Sequence, residues 1–406
     1  MSEYRLSEES VTKSLCRTML SSRTAVCVAL RVPKSLNSAP DSPKSSSQYL
    51  ALRRRGGDEY IVRAGNNTRR IGSILIIAAL LAPSLALLGI APVPARAATQ
   101  VIVFDMGHGQ YKAAVFTAQD AWLAGNLTAL GYQVIWAWGG INASILSNAT
   151  GLVLGSLYGP SYNFSTAMVN DITTWFNSGK KFLWVAGDSD NAGNGPIANA
   201  SVVLDAVGSH VYVEPCSVED PISSAGSAYR VVANKTSTNA YVADLVGNTT
   251  KVLMHGPTTL YGSTTGHKDG GIVSLENTTI ANVYPVLYYG GSAVIVDPDL
   301  IPPVAHTAGQ TGSFTAMTVE VNAGSGQNGV IAVSGASPYA DYMPMTCQLY
   351  YNVTMNGQLL VRQTIDWGMK LATYTTVTPV DYTLYIGIGA VAVVVVLALA
   401  FFLRKK

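Results

Sequence analysis

The chain has 406 residues, with 26 Lys plus Arg against 24 Asp plus Glu and a formal net charge of +2 at pH 7. That balance hides an asymmetry: between Ala98 and Val380 there are 17 Asp plus Glu and only 9 Lys plus Arg. A stretch this acidic offers no basic face to neutralise phosphates, which excludes nucleic acid as a partner.

Residues 1–70 form a basic leader with Arg53-Arg54-Arg55, many Ser and no sustained apolar period, and they read as disordered. Initiation near Val62 would remove most of it. Residues 71–90 (IGSILIIAALLAPSLALLGI) follow Arg69-Arg70 and lead to Ala95-Arg96-Ala97. Basic flank, apolar run and small-residue site are the three parts of a secretory signal, so 71–97 is expected to be a signal peptide or, uncleaved, an N-terminal anchor.

Apolar strands then alternate with helix-length segments. Gln100–Asp105 reads as a buried strand, and Thr117–Leu130 as a helix closed by Gly131. Gln133–Ala137 and Gly151–Gly155 are the next strands, followed by an amphipathic helix over Phe164–Asn177. Lys181–Ala186 is the fourth strand, and Pro196–Val207 a helix with proline at its start. Near-continuous apolar strands separated by helices predict an α/β fold: a flavodoxin-like, mainly parallel sheet with helices on both faces. Beyond Glu214 the pattern loosens into strands at Val252–His255, Val283–Tyr288, Ala293–Asp297 and Thr315–Val321. It tightens at Gly329–Gly335 and at a closing helix, Gln358–Leu371, with Trp367 facing inward. Residues 98–371 thus form one α/β domain, and 372–382 a Thr-rich stalk.

Residues 383–403 carry no charge and stop at Arg404-Lys405-Lys406. About 20 apolar residues cross a bilayer as a helix, and basic flanks stay cytoplasmic. The run predicts a transmembrane helix with 404–406 as a cytoplasmic tail. The expected location is the cell membrane, single-pass after signal cleavage, with the domain extracellular.

Two features fit that location. Nine Asn-X-Ser/Thr triplets begin at Asn126, Asn142, Asn148, Asn163, Asn199, Asn234, Asn248, Asn277 and Asn352, where chance predicts about three. Their density predicts a glycosylated surface, in the style of surface proteins of thermophilic archaea. Cys16 and Cys27 fall in the leader, leaving Cys216 and Cys347 outside, where oxidation is permitted. They are either a disulfide or two unpaired buried thiols.

Several stretches at element ends carry a family resemblance. Phe104-Asp105-Met106-Gly107-His108-Gly109-Gln110 follows the first strand, and Val153-Leu154-Gly155 with Tyr158 the third. Gly187-Asp188 follows the fourth, and near the end come Ser334-Gly335-Ala336-Ser337 and Ile365-Asp366-Trp367. Together they resemble the class I glutamine amidotransferase-like superfamily over residues 100–371. The nearest branch is the non-catalytic one, which includes gliding-motility and ABC-associated surface proteins and an intraflagellar-transport subunit. True amidotransferases carry a Cys on a sharp turn after a central strand and a later His-X-Glu pair. The matching turn here reads Ala186-Gly187-Asp188-Ser189, and no His-X-Glu occurs in the ectodomain. The resemblance therefore implies a domain without glutamine hydrolysis, associated with transporter or surface-assembly subunits.

Open parallel sheets bind ligands at the carboxyl ends of their strands. Asp105, His108, Gln110, Tyr158, Asp188, Ser189 and Asp190 lie at such ends and form the candidate ligand cleft. The plainer alternative is that Asp105 and His108 hold loop backbone. Asp188-Ser189-Asp190-Asn191 has an outline like a calcium loop, but Ala192 takes the third ligand position and no Glu follows at the required distance. No metal or cofactor is expected. Ser189 lacks the second glycine of Gly-X-Ser-X-Gly. His210, His267 and His306 are scattered without ligand spacing, and His255 reads as a strand-end hydrogen-bonding residue. The leading reading is a non-catalytic surface domain binding a partner or small polar ligand, accessory to a transporter. Its rivals are a surface glycan or peptide hydrolase using Asp105 and His108, and a structural component of the surface coat.

Overall fold

A computed structural model describes residues 99–110, 117–157, 162–192 and 195–373, together with Phe401 and Arg404. The chain divides into Met1–Ala91 and Pro92–Lys406, and all described residues belong to the second part. Among them no helix is long and apolar enough to cross a membrane. The apolar run 71–90 and, Phe401 apart, the run 383–403 expected to do so lie outside the described residues, as do the leader, Tyr158 and 374–382. Residues 372 and 373, expected to open the stalk, instead belong to the closing helix, which ends at Thr373.

The first half builds the sheet predicted from its apolar runs. Strands β1 (Val101–Asp105), β2 (Gln133–Ala137), β3 (Ala149–Leu154) and β4 (Phe182–Ala186) lie in the order β2-β1-β3-β4. Gly329–Ser334 adds a fifth parallel strand beside β4, with Val330 opposite Phe182. The sheet then continues antiparallel through Thr315–Ala323, Val283–Tyr288 and the short Lys235–Thr236. Eight strands therefore make one mixed, mostly parallel sheet with helices packed on it. Its order reverses between β1 and β3, the crevice where such sheets take ligands.

Strand alternation sorts the core into two layers. Ile102, Phe104, Val153, Phe182, Trp184, Val330 and Ala332 join Leu123 and Leu127 of the helix Ala118–Ala129 and Leu360, Ile365 and Met369 of the helix Gly357–Thr373. Their neighbours Val101, Val103, Leu152, Leu154, Leu183, Val185, Ile331 and Val333 face the helices Thr166–Asn177 and Gly195–Ala206. Period-two side chains on a sheet buried on both faces keep the middles of the parallel strands apolar, with polar residues such as Asp105 and Ser334 at their ends. The helix Ala118–Ala129 starts where Thr117 and Asp120 form a reciprocal capping box. It ends before Gly131, whose φ of +96° suits glycine. Gly368 lets the last helix lie close on the sheet, because a Cβ there would meet the Phe182 ring at 2.3 Å. Trp367 is only partly buried and packs edge-on to Tyr241, so the inward positions are Ile365, Gly368 and Met369.

The looser second half makes small antiparallel ribbons. Arg230–Ala233 pairs with Val252–His255, Ser217–Glu219 with Val294–Val296, and Leu349–Tyr350 with Val353–Thr354. A three-stranded sheet joins Val211–Val213, Leu260–Ser263 and Ile272–Ser274. These ribbons carry several of the side chains that meet the ends of the parallel strands.

Candidate functional site

At the carboxyl end of β1 the structure brings Asp105, His108 and Gln110 together. Asp105 Oδ2 accepts a hydrogen bond from Gln110 Nε2 at 2.8 Å and faces His108 Nδ1 at 2.6 Å, while Oδ1 accepts from Gly107 N at 3.1 Å. Gln110 Oε1 in turn accepts from His108 N at 2.8 Å. All three residues are buried. Their polar atoms are largely spent on one another, which is how a buried carboxylate avoids a desolvation penalty. The cluster also holds a distant loop, because Gln110 O accepts from Asp341 N at 2.8 Å. Asp105, His108 and Gln110 thus position other groups rather than face an open cleft.

The open cleft lies at the end of β4. Asp188 and Ser189 follow that strand, and Asp341 and Tyr342 come from the loop after Gly329–Ser334. Tyr229 and Arg230, His255 and Tyr350 come from the ribbons, closing a space of about 390 Å³ with Asn191. Ser189 N donates to Gly256 O at 2.9 Å and Gly256 N to Tyr229 O at 2.8 Å, which fixes the ribbon against the β4 turn. Ala340 and Asp341 both adopt left-handed backbone, φ +51° and +63°, a conformation costing roughly 1–2 kcal/mol for a residue with a Cβ. Two buried bonds hold it, Asp341 N to Gln110 O and Ala340 N to Asp120 Oδ1 at 2.9 Å.

Aromatic rings dominate the rim. The Arg230 guanidinium lies 4.3 Å from the Tyr351 ring centre, 4.9 Å from Tyr229 and 5.4 Å from Tyr350. His255 stacks on Tyr342 and meets Tyr229 edge-on. Burial, reinforced by the Arg230 charge, lowers the His255 pKa to about 4, so its ring is neutral at pH 7. Burial raises Asp341 to about 7. Burial and then the charge of Asp341 push Asp188 well above the carboxylate range. Both shifts favour the protonated carboxyl, the form that can donate a hydrogen bond.

His255 differs from the other four histidines. His108 faces Asp105, His210 faces Glu320 at 2.7 Å, His267 faces Asp205 at 3.7 Å, and His306 bridges Glu214 and Glu276 at 3.2 and 3.0 Å. Among the described residues His255 alone has rings and a guanidinium around it instead of a carboxylate. Of the sequence candidates among the described residues, Asp188 and Ser189 line this cleft and Asp105, His108, Gln110 and Asp190 do not. Tyr229, Arg230, Tyr342, Tyr350 and Asp341 escape a reading of the sequence, since no local spacing links the ribbons to β4. The adjacent Tyr350 and Tyr351, entering a turn, are the one signal that could have found them.

Cys216 and Cys347 are both free and buried, the second of the two states open from sequence. Cys216 lies beside Thr258, and burial pushes its thiol up to about 12; neither thiol lines the cleft. A protonated, enclosed thiol is not a nucleophile. The β4 turn carries Asp188 and Ser189 and no Cys.

Most of the Asn-X-Ser/Thr asparagines are exposed. Asn126 and Asn199 are half-buried, and their side-chain amides donate to Trp122 O and Gly195 O.

No family model matches the chain, and no curated protein matches it. Among solved structures it is similar to the mmIFT52 N-terminal domain, at 11% identity and a TM-score of 0.44, covering 66% of this chain and 97% of that one. It is also similar to a GMP synthase component from Thermoplasma acidophilum, at 10% identity and a TM-score of 0.29, covering 66% and 93%. Neither likeness is strong enough to carry an assignment. The fold stands on the strand order and register of this chain.

Proposed function

We propose that this chain is a membrane-tethered, glycosylated cell-surface protein whose α/β domain binds a small polar ligand, a sugar or polyol, in the cleft beyond β4 without turning it over. One observation carries the ligand class: Tyr229 and Tyr342 remain 42% and 47% exposed around a cleft whose other walls are carboxyls, Asn191 and Arg230. Tyrosine faces cover the C–H side of a sugar ring, while paired donors and acceptors take its hydroxyls. The surface location is supported by the two terminal apolar runs and by the exposed Asn-X-Ser/Thr sites. Association with transporter subunits is the further reading that the sequence resemblance suggests.

The test is calorimetric titration of the detergent-solubilised full chain against a panel of sugars and polyols, with product analysis of the same samples. Saturable binding that weakens about ten-fold in Tyr342→Ala, without product, is expected. Absence of binding across the panel, or equal binding by Tyr342→Ala, would sink the ligand reading. Recovery of the intact chain from cytosol without detergent would sink the surface reading.

A second reading, hydrolysis of a surface glycan or peptide, is favoured by one observation. Two carboxyls share this cleft, whereas Asp105 and His108 are occupied with each other. Product formation abolished by Asp341→Asn would establish it.

A further inference from the structure

We propose that Asp190, Asp297 and Asp299 form a binding site for a hard divalent cation, calcium foremost, which ties the turn after β4 to the loop after Val294–Val296. One carboxylate oxygen from each residue comes within 4.8 Å of the others. Asp190 is fully buried, and its Oδ2 has no hydrogen-bond partner. Asp297 Oδ1 and Asp299 Oδ2 are likewise buried atoms without a partner. Three orphaned acceptors of one sign in one place repel each other and have lost their water. None of the three residues takes part in an ion pair among the described residues.

The remaining oxygens show how the site is aimed. Asp190 Oδ1 accepts from Ser217 Oγ at 2.7 Å, and Asp299 Oδ1 accepts from Ile301 N at 2.9 Å. In each case one oxygen anchors the carboxylate and leaves the other without a hydrogen-bond partner, the usual support for a metal ligand. Pairing of Val296 with Ser217 brings the Asp297–Asp299 loop to the β4 turn. Oxygens held about 2.4 Å from a central calcium lie at most about 4.8 Å apart, and three oxygens within that distance of one another are compatible with one ion, water completing its six to eight ligands. An all-oxygen set without His or Cys argues against zinc. The alternative is a proton shared between two of the carboxylates.

The experiment uses the full chain in detergent, stripped with EDTA and titrated with calcium chloride alone, followed by calorimetry and thermal melting. One saturable calcium per chain is expected, with a rise in melting temperature that EDTA reverses. Asp299→Asn should weaken calcium binding roughly ten-fold or more. Asp190→Asn should abolish the response while melting no lower than the stripped wild type, since it removes a buried charge. Tyr342→Ala, in the neighbouring cleft, should keep the full calcium response, which separates this site from the ligand reading. A wild type that neither binds calcium nor shifts in melting overturns the proposal in favour of the shared proton. Equal responses from wild type and both variants overturn it in favour of ions bound elsewhere.

Discussion

The loops after β1 and β4 both present aspartates at the carboxyl edge of the same sheet, and they use them in opposite ways. Asp105 collects the Gln110 amide, the His108 ring and the Gly107 amide within one turn. Asp188 faces a second carboxyl across an open cleft, and Asp190 buries an oxygen that nothing answers. Position at a strand end therefore does not make an aspartate functional. What distinguishes the two loops is whether their polar atoms are already satisfied.

The sharpest way to break that contrast is Asp105→Ala. It strands the Gln110 and His108 donors and frees the Asp341 loop, so we expect a loss of about 3–5 kcal/mol, read by denaturant unfolding. A loss below about 1 kcal/mol, the net worth of one ordinary hydrogen bond, would mean that the β1 cluster is not structural.

Next comes pH, acting on the other closed cluster. Burial opposes charge on His306, yet the bonds and charges of Glu214 and Glu276 raise it to about 9. Burial likewise opposes charge on Glu276, but hydrogen bonds from His306, Ser274 and Thr315 lower it to about 2. The His306 contribution is complete below its ordinary value of 6.5 and is lost as pH rises through about 9. The Glu276 contribution is complete above its ordinary 4.5 and is lost as pH falls through about 2. Melting temperature should therefore plateau between these ordinary values, and His306→Gln should flatten the alkaline limb. An unchanged alkaline limb in that variant would remove His306 as its cause.

Asp190→Asn sharpens the comparison from the other side. In the absence of divalent cations, its effect on stability should lie between zero and a gain of about 1 kcal/mol, since replacing an uncompensated buried charge is neutral or stabilising. A loss as large as that of Asp105→Ala would put the two loops in the same class. Tyr342→Ala should cost no more than about 1 kcal/mol by unfolding, since its half-exposed ring gives up the stack on His255.

The parallel half of the fold was legible because its strands are buried on both faces. Val101–Phe104 and Phe182–Ala186 are unbroken apolar runs, and Thr117, Ser165, Gly131 and Gly179 punctuate the helices between them. The ribbons were harder to read. Ser217–Glu219 and Arg230–Ala233 are three- and four-residue strands whose partners lie far along the chain. The candidate site suffered most, because Arg230, His255, Asp341 and Tyr350 reach the cleft from separate ribbons and loops. Along the chain Asp190 has only Asp188 and Asn191 for polar company of its kind, whereas in the fold its companions are Asp297 and Asp299.

From the amino-acid order alone came the alternation of buried strands and capped helices, the Gly-Asp-Ser turn after β4 and the apolar runs near either end. Those properties depend on periodicity and on residue type at a single position, which are local. Tertiary structure alone decided that Asp105 is closed, that Asp188 is open and that Asp190 stands with two distant carboxylates. Which polar groups meet depends on strand order and on loops crossing the sheet edge, and no spacing along the chain encodes that.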